Sequence, residues 1–177
     1  VSISMQALET AFFKPNIIFL KLDEKKHGLQ DKYTPIIQEA KLRKWGMLML
    51  ANFEGVGLGL EKTINVWLDV IPDDWEDQLD LGNNDLAILT ALIIRKNWNA
   101  RLNIIKTVRE ESHLSEEDII QEMEQIKTLA RMPRDTNIQV IRRTPAMWAE
   151  APLADLNILE LPDKEDLDLK RLQEIPN

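Results

Sequence analysis

The sequence predicts an α/β fold in which a mostly parallel, doubly wound sheet carries helices on both faces. Two observations indicate this fold. Strand-length runs of apolar and β-branched residues recur along the 177 residues, and most are continuous, as strands covered on both faces require. Segments with helical periodicity separate most of these runs, so strands and helices alternate as they do around parallel sheets.

The predicted strands are short and rich in Ile, Leu and Val. They lie at residues 16–22, 47–53, 63–71, 101–108, 137–142 and 156–161. The second and third strands follow each other through a glycine-bearing loop with no helix between them. This break predicts two related halves of one fold, a first α/β subdomain at residues 1–62 and a second at residues 63–177.

Capping signals predict where the first two helices begin. Thr34 followed by Pro35 indicates the start of a helix that runs toward Trp45, because proline suits the first helical position. A second helix follows one of the two asparagines at 83 and 84 and runs to about residue 97. Its broad buried stripe is predicted to contain Leu86, Leu89, Ile93 and the apolar residues between them.

The third helix has the clearest start signal. Ser115 and Asp118, three residues later, form a capping-box pattern, and Pro133 follows the end of the element. Its buried face is predicted to contain Ile119, Met123, Ile126 and Leu129 or Ala130. A fourth helix is predicted to begin at Asp163.

Charge and composition exclude several classes of function. The chain carries 22 basic and 30 acidic side chains, a net charge of −8, which disfavours binding to a nucleic-acid backbone or to an anionic membrane surface. The absence of cysteine excludes disulfides, thiolate metal sites and cysteine nucleophiles, and two histidines are too few for a multi-histidine metal site. We therefore expect no metal, no cofactor and no nucleic-acid partner.

The sequence contains no candidate membrane span. The most apolar window, residues 86–94, is far shorter than the roughly 18 residues that cross a bilayer. The chain begins at Val1 without an initiator methionine and without a signal-peptide pattern. We expect a soluble fragment of a longer protein.

Three glycines in the segment EGVGLGLEK, at positions 55, 57 and 59, resemble a phosphate-binding loop. In dinucleotide sites such glycines open a helix whose N-terminus meets the pyrophosphate. Here the strand TINVWL follows instead, so we interpret the segment as a turn. No glycine occurs after Gly82, so the C-terminal half lacks a segment where the backbone approaches phosphate closely.

No side-chain pattern predicts a catalytic site. Ser112, His113 and Ser115 are close in sequence, but a nucleophile and its base need facing geometry and an orienting acid, and helix capping explains Ser115. We assign both histidines to the surface. The acidic blocks at residues 69–85 and 110–124 are interpreted as solvated loops and helix starts, because they lack the register of a calcium loop.

Five tryptophans accompany a single tyrosine. Trp45, Trp67 and Trp98 are predicted to pack in the core or at its edge. Trp75 and Trp148 fall in predicted loops, where an exposed indole indicates a contact surface with a partner.

Five segments carry a resemblance in the same order along the chain. They are Lys14-Pro15-Asn16 before IIFLKL, TINVWL at 63–68, NDLAILTALII at 84–94, WNARLNII at 98–105 and ADLNILELP at 154–162. Together they resemble the C-terminal cytosolic domain of cation-chloride cotransporters. The chain lacks the long insertions of animal members, and in this it resembles a compact prokaryotic member.

The resemblance implies a fold related to the universal stress proteins, on the cytoplasmic side of the cell membrane. It implies a regulatory and dimerisation domain attached to the transmembrane part of a transporter that moves chloride with sodium and/or potassium. The implied partners are a second copy of the domain and the transmembrane domain of the same chain. The resemblance implies no enzymatic activity, and no ion-binding residue is expected because the family's ion sites lie in the membrane.

Two other interpretations stay open. The first is a stand-alone nucleotide-binding protein of the universal stress type, which would need a glycine-rich phosphate loop late in the chain. The second is a hydrolase or transferase on a doubly wound sheet, which the fold alone permits. The sequence contains no late phosphate loop, which the nucleotide-binding interpretation needs. It also contains no recognisable pair of nucleophile and base, which the enzyme interpretation needs.

Overall fold

The computed structural model describes residues 16–22, 29–51, 57–68, 84–108, 113, 115–144 and 147–159. These residues form a two-stranded and a four-stranded sheet, and the strands of both sheets are parallel. The described residues divide into two compact units, one before and one after the boundary between Gly57 and Leu58. The predicted α/β architecture with parallel strands is confirmed, and its strands are distributed over two sheets.

The strands and helices alternate along the chain, except that β3 follows β2 directly. The strands are β1 (Ile17–Leu22), β2 (Gly46–Ala51), β3 (Thr63–Leu68), β4 (Arg101–Val108), β5 (Asn137–Arg142) and β6 (Leu156–Leu159). The helices are α1 (Leu29–Leu42), α2 (Asn84–Trp98), α3 (Glu116–Leu129) and the single-turn α4 (Met147–Glu150). The helix predicted from Asp163 lies outside the described residues.

The first unit contains a β-α-β arrangement. Strand β1 pairs with β2, and the connecting helix α1 packs against β2. Its buried side chains are Leu22, Tyr33, Ile36 and Ala40. The Tyr33 hydroxyl donates a hydrogen bond to the Lys21 carbonyl at 2.9 Å, which fixes the helix to the end of β1.

The predicted start of α1 is wrong. The helix begins at Leu29, so Pro35 lies inside it instead of at its first position. Proline removes one backbone hydrogen bond from a helix interior and meets the preceding turn sterically. Tyr33 lies in that preceding turn and is 3% exposed, so its packing against β1 keeps the turn helical.

In the second unit the strand order is β5-β4-β3-β6, so the first strand of this unit lies inside the sheet. Helices α2 and α3 contribute to one hydrophobic cluster on one face. Helix α4 contributes to a cluster with Trp67, Ile105 and Ile141, which alternate with the residues of the first cluster along their strands and so face the other side. The predicted arrangement of helices on both faces holds for this sheet.

The predicted buried stripe of α2 is wrong in part. Ala87, Ile88 and Ala91 face the sheet, whereas Leu89 and Ile93 are 54% and 55% exposed. Ala87 and Ala91 let the helix backbone lie close to the strands, and the larger Ile88 packs beside them.

Helix α3 follows the sequence closely. Ser115 is its N-cap, and its hydroxyl accepts a hydrogen bond from the Asp118 backbone N–H at 3.1 Å and donates to the Asp118 carboxylate at 2.7 Å. The predicted inner face of Ile119, Met123 and Ile126 is buried. The capping prediction is confirmed. At the end of the predicted face, Ala130 packs against the core, whereas Leu129 is 56% exposed.

Candidate functional site

A row of asparagines crosses the four-stranded sheet. Asn137, Asn103, Asn65 and Asn157 occupy matching register positions on β5, β4, β3 and β6. Asn65 is 1% exposed, and burying an amide without partners is costly, so its hydrogen bonds matter.

The buried amides of this row are bonded to one another. Asn103 Nδ2 donates to Asn65 Oδ1 at 2.8 Å, and Asn65 Nδ2 donates to the Pro152 carbonyl at 2.7 Å and to Asn157 Oδ1 at 3.2 Å. Asn157 Oδ1 also accepts from Trp67 Nε1 at 3.0 Å. These bonds tie β6 and the segment before it to the centre of the sheet, and so give the row a structural role.

Trp148 packs within its own chain. It lies on α4, where a loop was predicted, and its ring centroid is 4.6 Å from that of Trp67 with a tilt of 55° between the rings. Met147 and Ala151 join it over Trp67 and its neighbours. The expected exposed indole at 148 is therefore half-buried aromatic packing, because the apolar side chains of α4 cover this face of the sheet.

Three of the other tryptophans pack as predicted, and the fourth lies outside the described residues. Trp67 is buried, and Trp45 and Trp98 are half-buried, as predicted. Trp75, the second candidate for an exposed contact, lies outside the described residues.

The glycine segment forms a turn that leads into β3. Gly57 and Gly59 have φ values of 64° and 60°, in the left-handed region that glycine adopts without steric cost. A strand follows this turn, so the geometry needed for a phosphate at a helix N-terminus is not formed here. The prediction of a turn is confirmed; Gly55 lies outside the described residues.

Asp155 binds this turn from a position about 90 residues further along the chain. Its carboxylate accepts hydrogen bonds from the backbone N–H groups of Leu60 and Lys62, both at 2.8 Å, and of Thr63 at 2.9 Å. The N–H groups of Leu60 and Lys62 are the main cause of a lowered pKa for Asp155. A charged acceptor thus holds the turn against the start of β6.

Two oppositely charged residues on β4 and α3 influence each other's ionisation. Lys106 is buried on β4, and Glu122 is half-buried on α3. Burial raises the pKa of Glu122, and the positive charge of Lys106 opposes that rise. Both residues lie in the second unit, so this electrostatic effect belongs to the fold of that unit.

The outer face of α2 has an apolar ridge, formed by Leu89 and Ile93, which we call the α2 ridge. Asp85 lies at one end of the ridge and Lys96 at the other, and both are exposed. At about 100° per residue, these four positions fall within about 80° of the helix circumference. The ridge is therefore a narrow apolar surface with opposite charges at its two ends.

The described part of the chain contains only some of the residues weighed as catalytic candidates. His113 is exposed, and Ser115 is used as a helix cap. Within the described ranges, no group of three or more His, Cys, Asp or Glu side chains is placed to hold a metal ion. His27 and Ser112 lie outside those ranges, and the acidic residues Glu116, Glu117 and Asp118 form the first turn of α3.

None of the helices that the structure describes has the length and apolar character needed to span a bilayer.

Comparison with known protein families gives two consecutive matches. Residues 1–58 match the family described as "Prokaryotic cation-chloride cotransporter, C-terminal domain, 1st". Residues 59–175 match the family described as "Prokaryotic cation-chloride cotransporter, C-terminal domain, 2nd". No curated protein sequence matches the chain.

A solved structure is also similar to this chain. It is described as the crystal structure of the cytoplasmic domain of a prokaryotic cation chloride cotransporter, with 32% sequence identity and a TM-score of 0.81. The match covers 98% of this chain and 65% of the other, so the chain spans about two thirds of that domain's length.

Proposed function

Because the chain belongs to the family of prokaryotic cation-chloride cotransporter C-terminal domains, we propose that it is the cytosolic regulatory and dimerisation domain of a transporter that moves chloride together with sodium and/or potassium. The observation that carries this proposal is the order of the two family matches. The first and second parts of the domain match adjacent residues from 1 to 175.

The proposed location is the cytoplasmic side of the membrane, with the transmembrane domain of the same protein as a partner. The description of the similar solved structure as a cytoplasmic domain supports this location.

We further propose that residues 1–62 and 63–177 are two α/β subdomains of this one domain. Two observations support a boundary in this region: the family matches change at residues 58 and 59, and the compact units divide between Gly57 and Leu58. The turn that ends at Lys62 then acts as the connection.

The proposed role is non-enzymatic. Catalysis needs a nucleophile or a general base with an orienting partner. Ser115 instead caps a helix, Asp155 accepts backbone hydrogen bonds, and Asn65 and Asn103 bond to each other. Isothermal titration with ATP discriminates the alternative of a universal-stress-type nucleotide-binding protein. We expect no heat of binding; saturable ATP binding would favour that alternative.

The decisive test of the transporter assignment uses the native protein. An antibody against this domain, applied to fractionated extracts of the source cells, should detect a band tens of kilodaltons heavier than 20.5 kDa that sediments with membranes. A soluble band near 20.5 kDa would overturn the proposal.

The regulatory role needs a flux measurement on the full-length protein in vesicles. Chloride uptake driven by a sodium or potassium gradient should change when residues 1–177 are deleted, while the transporter is still inserted in the membrane. Unchanged uptake rates at equal amounts of inserted protein would argue against regulation by this domain.

A further inference from the structure

The α2 ridge is an exposed apolar surface that the fold of this unit leaves unused. Leu89 and Ile93 are spaced by four residues and project from the side of α2 opposite to the core residues Ala87 and Ala91. Single exposed apolar residues are ordinary on protein surfaces. Here two of them lie side by side on a helix whose opposite side is already buried, which indicates a contact surface.

The charges beside the ridge indicate its partner. Asp85 lies in the first turn of α2 and Lys96 in the last turn. The midpoint of Leu89 and Ile93 and the midpoint of Asp85 and Lys96 coincide within half a residue along the helix. A two-fold axis through this point therefore brings each apolar side chain opposite the other, and each charge opposite its counter-charge.

We propose that the α2 ridge packs antiparallel against the α2 ridge of a second copy of this chain. Leu89 of each copy faces Ile93 of the other, and Asp85 of each copy faces Lys96 of the other. This is the isologous contact that two-fold dimers require, in which residue i meets residue j and j meets i. The inference rests on the proposed dimerisation function and assigns it a surface.

A parallel arrangement of the same helices is disfavoured by the same residues. It would bring Asp85 beside Asp85 and Lys96 beside Lys96, and like charges in an interface suppress association. The antiparallel arrangement has no such repulsion. The apolar centre with charges at its rim also matches the usual anatomy of protein interfaces.

The first test measures dimerisation of the 177-residue chain by sedimentation velocity over a range of concentrations. Replacing both Leu89 and Ile93 by alanine should weaken the dimer by about tenfold or more, as expected for residues at an interface centre. Leu153→Ala is the matched control, because Leu153 is 92% exposed, lies outside the ridge and should leave the dimer unchanged.

Charge reversal separates the interface from the helix itself. Asp85→Lys and Lys96→Asp should each weaken the dimer, and the double variant should restore it. The thermal stability of the chain should not be restored in the double variant. Each reversal places a charge at the helix end where the macrodipole disfavours it, and the two losses of stability add. Restored association together with lowered thermal stability would support the proposal.

Cysteine cross-linking tests whether the two α2 helices pack parallel or antiparallel. The chain has no cysteine of its own, so each introduced cysteine is unique. Under mild oxidation, a mixture of Leu89→Cys chains and Ile93→Cys chains should form more mixed disulfide than either chain forms with itself. Preferential self-linking of both variants would overturn the antiparallel contact.

The outcomes distinguish this inference from the proposed function. A dimer whose affinity is unaffected by the ridge and charge variants would overturn the ridge as its surface, while dimerisation itself would stand. A chain that stays monomeric at every concentration would overturn dimerisation by this domain and the ridge contact with it.

Discussion

The carboxylate of Asp155 shows how one side chain can organise a turn that lies far away in sequence. It accepts three backbone N–H groups from the segment that leads into β3, and it does so beside Gly59. A Cβ atom at position 59 would overlap Asp155 Oδ1, whereas a Cβ atom at position 57 would meet no atom within 4 Å.

This difference gives a matched pair of substitutions. Gly57→Ala should lower the free energy of unfolding by about 1 kcal/mol, the cost of a non-glycine residue in the left-handed region. Gly59→Ala should cost about 1 to 2 kcal/mol more, because it also displaces the hydrogen-bonded carboxylate. Urea unfolding of the two variants measures the difference, and equal losses would mean that the carboxylate contributes little.

The lowered pKa of Asp155 predicts a dependence on pH. A carboxyl group whose pKa is lowered in the folded state stabilises the fold fully at pH values above its ordinary pKa of 3.8. This contribution is lost as the pH falls through the pKa of the folded state. The difference in unfolding free energy between the parent chain and Asp155→Asn should be constant near neutral pH and shrink below about pH 3.8. A difference that stays constant into the acid range would contradict this expectation.

At the scale of single helices, α3 is determined by its own sequence. Ser115→Ala should lower the free energy of unfolding by about 1 kcal/mol, because the Asp118 N–H then loses its capping acceptor. Ser115→Thr retains a hydroxyl acceptor and should recover most of the loss in thermal unfolding. If alanine and threonine behave alike, the cap does not contribute to stability.

In helix α2, hydrophobic periodicity does not predict which side of the helix is buried. Its segment NDLAILTALII is apolar on most of its circumference, so the pattern predicts a helix but not which apolar side chains face the sheet. The small residues Ala87 and Ala91 decide this by allowing close approach to the strands. The large residues Leu89 and Ile93 were consequently predicted on the wrong face.

The parts of the fold that sequence reasoning missed depend on long-range contacts. The single turn of α4 is too short to give a periodic signal, and packing against Trp67 holds it in place. The Asp155 contacts and the bond from Asn65 to Asn157 join residues 92 or more positions apart, and the bond from Asn103 to Asn65 spans 38. No local sequence pattern predicts contacts of this range. Strand positions and the cap of α3, by contrast, depend on neighbouring residues and were predicted.

At the scale of the whole molecule, Asn65 joins β6 to the rest of the four-stranded sheet. Asn65→Leu should lower the free energy of unfolding by about 2 to 3 kcal/mol, because buried partners such as Asn103 Nδ2 lose their hydrogen bonds. Hydrogen exchange should become faster in β6 than between β4 and β5. Asn137→Leu, at the exposed end of the same row, is the control and should have little effect.

The strand order also has a consequence for synthesis on the ribosome. Strand β3 is made first in its unit, yet its partner β6 is made last, after β4 and β5. Until residues 152–157 leave the ribosome, one edge of β3 is unpaired, and Asn65 and Trp67 lack their acceptors. A nascent chain that pauses before this point displays an open strand edge, which is the type of surface that chaperones bind and that promotes aggregation.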